Sequence, residues 1–257
     1  MKIKIILFIG ILLILGSCFL FYTLNESRKI ENQHIFTGNS SGPRPLPGSH
    51  YSYEIWSAAG NDNRLIWYGP DHGGGAAFRA EWNYANVFLG RVGLFWNEGK
   101  PYTSYDNLFC DFEFTRSGLG TGGSTSYIGI YGWSRNPLIE WYIVEDWFGQ
   151  GVIGPPRIGG GAEKKGEFEI DGSVYFIYQA TRVQQPSIDG TATFLQFFSV
   201  RQTTRQSGTI SITEHFKEWE KLGMVIGSNM YEAKFLVEAG GGTGWIDASY
   251  VSFYQKD

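Results

Sequence analysis

Short runs in which large side chains alternate along the chain, broken by glycine, restrict this sequence to a β-sheet fold. In "AFRAEW" Phe78, Ala80 and Trp82 share one strand face. In "SYIGIYGW" Tyr127, Gly129, Tyr131 and Trp133 share one face, and Ile128 and Ile130 take the other. "SVYFIYQATRV", "TATFLQFFSVRQ", "AKFLVEA" and "ASYVSF" have the same period of two, which is the period of a strand and not of a helix. Large side chains on both faces predict two packed sheets, one of which also lines a cleft. The composition agrees: Gly 35, Phe 19, Tyr 15 and Trp 9 in 257 residues suit strands joined by tight turns. A single segment, "SITEHFKEWEKLGM", has helical spacing through Phe216, Trp219 and Leu222. Ser211 and Glu214 form a candidate capping box at its start, and Gly223 is a stop.

The chain divides into three parts. Residues 1–24 begin with Lys2 and Lys4 and run apolar from Ile5 to Leu24. That is a signal peptide, a lipoprotein signal with Cys18 in the lipobox-like "LGSC", or an uncleaved signal anchor. Residues 25–48 have the polar, Ser/Gly/Pro-rich composition of a linker. Residues 49–257 are expected to be one folded domain. An exported domain anchored at the cell surface or secreted is expected, with membrane contact only through the N-terminal segment. Cys110 then lacks a disulfide partner and reads as a small buried residue. Residues 115–126 and 149–166 read as long surface loops. The net charge is -4 without a basic run beyond "EKK", which excludes a nucleic-acid surface. A neutral polymer fits better, because sugar rings stack on flat aromatic side chains. His34, His50, His72 and His215 show no ligand spacing, so neither metal nor cofactor is expected.

The stretch "NPLIEWYIVEDW" sets three carboxylates among apolar residues, where they need a partner or a function. Strand alternation puts Glu140 on one face with Tyr142 and Val144, and Glu145 on the other with Trp141 and Ile143. Glu145 and Asp146 are therefore expected to be structural or solvent-facing. In "KFLVEAGGGTGW" Leu236 shares a face with Glu238, opposite Phe235 and Val237. Two strand glutamates in aromatic surroundings suit a glycosidase, one ionised as nucleophile and one protonated as acid. Spacing alone does not bring the two together.

From about residue 51 onward the chain resembles the family 11 glycoside hydrolases, the small endo-β-1,4-xylanases. The resemblance rests on "YGWSRNPLIEWYIV" at 131–144, "ATRVQQPSIDGTATFLQ" at 180–196, "SVRQTTRQSGTI" at 199–210 and "HFKEWEKLGM" at 215–224. It implies an all-β jelly roll of two packed sheets with one α-helix and a concave cleft. It further implies retaining, endo-acting hydrolysis of xylan by a monomer. Glu140 matches the nucleophile and Glu238 the general acid/base. Tyr131 and Tyr142 match phenols beside the nucleophile, and Arg182 and Gln196 match polar residues near it. Pro186 and Ser187 match the tip of the thumb, and Trp56 matches a tryptophan that stacks on a non-reducing-side xylose. Asn86 matches the residue that tunes the acid/base, and an uncharged side chain there implies a near-neutral pH optimum. The chain departs from the family at "EAGGGTG" after the acid and at Phe198, where the family often has Trp. The alternatives are a related β-glucanase, against which "QPSIDG" argues, and a non-catalytic carbohydrate-binding envelope protein on the same scaffold.

Overall fold

A computed structural model describes residues 33–40, 42–58, 62–83, 86–96, 99–119, 126–148 and 161–257. The strands are β1 (His34–Thr37), β2 (Arg44–Pro45), β3 (Ser52–Ser57), β4 (Arg64–Trp67) and β5 (Phe78–Trp82). They continue as β6 (Phe88–Phe95), β7 (Asn107–Leu119), β8 (Ser126–Arg135), β9 (Ile139–Asp146) and β10 (Glu163–Ile170). The last are β11 (Ser173–Ser187), β12 (Gly190–Arg201), β13 (Ser207–Ser211), β14 (Asn229–Ala239) and β15 (Thr243–Lys256). The helix, α1, spans Ile212–Lys221. One sheet has the order β1-β4-β5-β15-β7-β13, and a larger one has the order β10-β11-β12-β9-β8-β14-β6-β3-β2. Within the larger sheet β9 and β12 run parallel. Among the described residues, the expected all-β sandwich with one α-helix is what the chain forms.

Alternation decides what lies between the sheets. Phe78, Ala80 and Trp82 of β5 meet Ile128 and Ile130 of β8, Trp141 and Ile143 of β9, and Phe235 and Val237 of β14 in one core. Each such aromatic or branched side chain contributes about 1.5–3 kcal/mol on burial. Gly132 also points into this core, where a Cβ would come within 2.0 Å of the Trp141 indole. Helix α1 lays Phe216 and Trp219 on that indole, at ring-centroid distances of 4.9 and 6.4 Å. The other face of the larger sheet carries Tyr127, Tyr131, Trp133, Tyr142, Phe198 and Leu236. That face is the floor of the cleft.

Several expectations change. Residues expected as linker contribute β1, paired with β4, and β2, paired with β3. Residues expected in loops belong to the ends of strands: 115–119 to β7 and 163–166 to β10. The rest of those two stretches, apart from Ser126 in β8 and residues 161–162, lies outside the described residues, as do residues 1–32 with Cys18. Ser211 does not cap the helix, because its backbone N–H and hydroxyl both donate to Asp171, at 2.9 and 2.7 Å. Glu214 instead pairs with Lys217 at 2.6 Å. The stop is as expected: Gly223 has φ 75°, its N–H bonds the Glu220 carbonyl, and that of Met224 bonds Trp219. Cys110 is a buried free thiol.

Candidate active site

The face set by strand alternation brings residues from seven strands together. β9 supplies Glu140 and Tyr142, β8 supplies Tyr131 and Trp133, β12 supplies Gln196 and β14 supplies Glu238. Register places Glu140 beside Trp133 on one side and Gln196 on the other. Glu140 is buried and accepts hydrogen bonds from Tyr131 at 2.8 Å, from Tyr142 at 3.1 Å and from the Gln196 amide. Tyr131 is itself fixed by the Trp133 indole N–H. Three donors aimed at one carboxylate favour its charged form. Burial outweighs them and leaves Glu140 above the usual glutamate range.

The Tyr142 phenol oxygen also lies 3.4 Å from Glu238 Oε2. One phenol therefore bridges two carboxyls from strands that are not neighbours in the sheet. A phenol has one proton. When it donates to Glu140, its lone pair remains to accept the proton of an un-ionised Glu238. Burial, then the charge of Glu140, pushes Glu238 up to about 7. The two glutamates are thus inequivalent: one is held by three donors, the other is raised far enough to hold its proton up to about neutral pH.

A cleft of about 580 Å³ runs past Glu140. Trp56 and Leu89 stand along it with Arg91, Tyr131 and Trp133, and Pro186, Ser187 and Ile188 of the thumb face them. The Trp56 indole is 43% exposed, a free flat surface at the rim. The thumb is the β11–β12 hairpin, closed by Ser187 Oγ on the Gly190 carbonyl at 2.7 Å. Its tip is tied to the end of β8 by Arg135 and Asp189, 2.6 Å apart. Arg182 stands on this hairpin and bonds Gln185 at 3.4 Å. Its charge lowers Glu238 less than that of Arg91 does.

Asn86 is exposed in the bend before β6, and the β6 residue opposite Glu238 is Leu89. Glu145 and Asp146 are structural but not solvent-facing. Glu145 is fully buried with Tyr175 at 2.6 Å and Arg205. Asp146 accepts hydrogen bonds from Arg116 Nε and Nη2, at 2.6 and 3.0 Å.

Sequence reasoning missed Glu54, Arg91, Glu232 and Lys234, which share the cleft face. Their signal was present: Glu54 is in phase with Trp56, and Lys234 with Leu236 and Glu238. It also missed the wall that Ser40, Gly42 and Pro43 add to the cleft, since they belong to the presumed linker. Among the described residues, no group of three or more His, Cys, Asp or Glu is arranged to hold a metal.

Comparison with known proteins places this geometry. Residues 49–249 match the model of Glycosyl hydrolases family 11. The chain is 46% identical over 221 residues to Endo-1,4-beta-xylanase C of Fibrobacter succinogenes, covering 85% of this chain and 34% of that protein. It is 40% identical over 230 residues to Endo-1,4-beta-xylanase S20 of Neocallimastix patriciarum, covering 89% of this chain and 63% of that one. The chain thus spans about a third of the first relative and 63% of the second. The crystal structure of wild-type ENZbleach xylanase superposes with a TM-score of 0.82 and 55% identity, over 87% of each chain.

Proposed function

The chain belongs to glycosyl hydrolase family 11, and on that premise we propose that it is a retaining endo-1,4-β-xylanase with Glu140 as nucleophile and Glu238 as general acid and base. The observation that carries the reading is the Tyr142 phenol lying 3.1 Å from Glu140 and 3.4 Å from Glu238. The Glu140 and Glu238 oxygens that meet that phenol are no farther apart than the sum of those distances. That is no wider than the low end of the gap of roughly 6.5–9.5 Å that inverting enzymes leave for water.

In the first step a Glu140 oxygen attacks the anomeric carbon while Glu238 gives its proton to the departing glycosidic oxygen. The carbon–oxygen bond to the leaving chain breaks and a glycosyl ester forms on Glu140. Glu238, now a carboxylate, takes a proton from water. The resulting hydroxide attacks the same carbon, frees Glu140 and leaves the configuration unchanged. Loss of the Glu140 charge in the ester lowers Glu238 and so favours the switch from acid to base. Trp56 offers its exposed face to a xylose ring on one side of the scissile bond. Pro186 and Ser187 close over the chain from the thumb. Arg182 steadies that hairpin, and Gln196 orients the nucleophile.

The test is reducing-sugar release from xylan and from carboxymethyl cellulose by residues 33–257, with Glu140→Gln as control. Release from xylan alone, lost in the control, supports the reading, and ¹H NMR of the first-formed anomer reads retention directly. Binding of xylan without release would favour a carbohydrate-binding role. Sedimentation would test the expected monomer. The apolar run from Ile5 to Leu24 supports an exported, surface-held protein. Membrane fractionation of Cys18→Ser in the full chain separates a lipid anchor from a helix.

A further inference from the structure

Four charged side chains sit in the floor of the cleft with almost no access to water. Glu54 comes from β3, Arg91 from β6, and Glu232 and Lys234 from β14. Arg91 Nε and Nη2 bond Glu54 Oε2 at 2.7 and 2.6 Å. Lys234 Nζ reaches the same oxygen at 2.9 Å and also bonds Glu232. Arg91 lies 3.5 Å from Glu232. Lys234 and Glu232 are 0% exposed. A buried ionic cluster of this kind adds little net stability compared with apolar packing. Its formal charges cancel.

The quartet borders the carboxyl pair. Arg91 lays its guanidinium over the Tyr131 ring, 4.4 Å from the centroid. Tyr131 is one of the two phenols that donate to Glu140. Register sets Lys234 opposite Tyr131 as well, and Arg91 opposite Leu236, two residues from Glu238.

We propose that this quartet is the electrostatic frame of the carboxyl pair, with Arg91 as a positioning residue that fixes Tyr131 and sets the balance of charge felt by Glu140 and Glu238. The proposal rests on the assignment of those glutamates made above. The groups facing them from other elements are Tyr127, Tyr131 and Trp133 on β8, Gln196 on β12, Arg182 on β11 and Arg91 on β6. From their own strands come Tyr142 on β9 and the pair Glu232 and Lys234 on β14. Of these, Arg91 is the cation that bears on both carboxyls, lowering each. Burial raises Glu54, but Arg91 and Lys234 outweigh it and hold its carboxyl down at about 2. Glu54 therefore stays charged wherever the protein works and tempers the field of the two cations.

The sign of each substitution is fixed by this arrangement. Arg91→Met leaves two carboxylates against Lys234, so Glu140 and Glu238 should both rise by about 0.5 to 1 pH unit. Glu54→Gln leaves two cations against Glu232, so both should fall by a similar amount. The experiment is the pH profile of kcat/KM on soluble xylan, paired with ¹³C NMR titration of glutamate carboxyls in labelled protein. Opposite shifts in the two variants are the expected result. Profiles that superimpose on wild type, or that shift in the same direction, would overturn the proposal, since a merely structural defect has no sign. Should Arg91→Met fail to fold, Lys234→Met carries the same sign and replaces it. The titration reads Glu140 and Glu238 even without turnover. Failure of the catalytic assignment, seen as persistent activity in Glu140→Gln, is therefore distinct from failure of the frame.

Discussion

Tyr142 carries one hydroxyl on which two carboxyls depend. In Tyr142→Phe, Glu140 keeps Tyr131 and Gln196 but loses one of three donors, and Glu238 loses the group at 3.4 Å. A hydrogen bond to a charged group is worth about 1.5–3 kcal/mol, so kcat/KM should fall by roughly 10- to 100-fold. The melting temperature should hardly move, because ring packing on Phe198, 4.8 Å between centroids, survives. Steady-state kinetics with a thermal melt checks both. Strand register gives a second expectation. Leu89 lies opposite Glu238, whereas Asn86 is exposed beyond the paired end of β6. A carboxylate at Leu89→Asp should raise the basic limb of the pH–rate profile, because a like charge disfavours ionisation of Glu238. Asn86→Asp should leave the profile superimposed on wild type. The reverse pattern would restore the tuning role to Asn86. The sequence resemblance placed that role without a register, and one residue of slip turns a side chain to the opposite face.

At the scale of elements, the thumb depends on a contact that packing does not provide. Arg135 and Asp189 are a third or more exposed, and exposed pairs contribute at most about 1 kcal/mol. Asp189→Ala should therefore leave the melting temperature nearly unchanged. It should raise KM several-fold, because the hairpin tip with Pro186 and Ser187 is no longer held over the cleft. Added salt should raise the KM of wild type and not that of the variant. A variant that loses stability but keeps its KM would show that the pair serves the fold instead. The same scale shows what was legible in the sequence. Strands with strict alternation, such as β8, β9 and β14, revealed both their faces, and with them the two glutamates and their phenols. β1 and β2 are short, and their Ser, Gly and Pro neighbours carry no period, so the cleft wall at Ser40, Gly42 and Pro43 was invisible. The capping box was misread because Asp171, forty residues away in sequence, takes the Ser211 hydroxyl. Strand phase put Glu54 on the face of Trp56 and Lys234 on the face of Glu238, but pairing between distant strands leaves no local trace, so only the folded chain joins Glu54 to Arg91 and Lys234.

The whole molecule has to remain folded at the pH where its carboxyls work, and one buried imidazole limits that range. His215 is 0% exposed, packed among Phe168, Tyr175 and Trp219, with Ser199 3.0 Å from Nδ1. Burial, aided by the nearby charges of Arg205 and Arg201, holds it down to about 3. An unfolded chain would bind that proton near pH 6.5. Between these values the unfolded state binds more protons than the folded one. The stability this group contributes is therefore complete above about pH 6.5 and is lost as pH falls toward 3. The loss approaches about 1.4 kcal/mol per pH unit within that window, enough to lower the melting temperature by several degrees per pH unit. His215→Gln keeps a hydrogen-bonding side chain and removes the titration. Thermal melts of both proteins from pH 8 to 4 should run parallel above pH 6.5 and converge below it, as wild type loses stability that the variant does not. Curves that stay parallel throughout would show that carboxylates alone, Glu54 among them, set the acid limit. Convergence would identify His215 as a group that sets the acid limit of the fold.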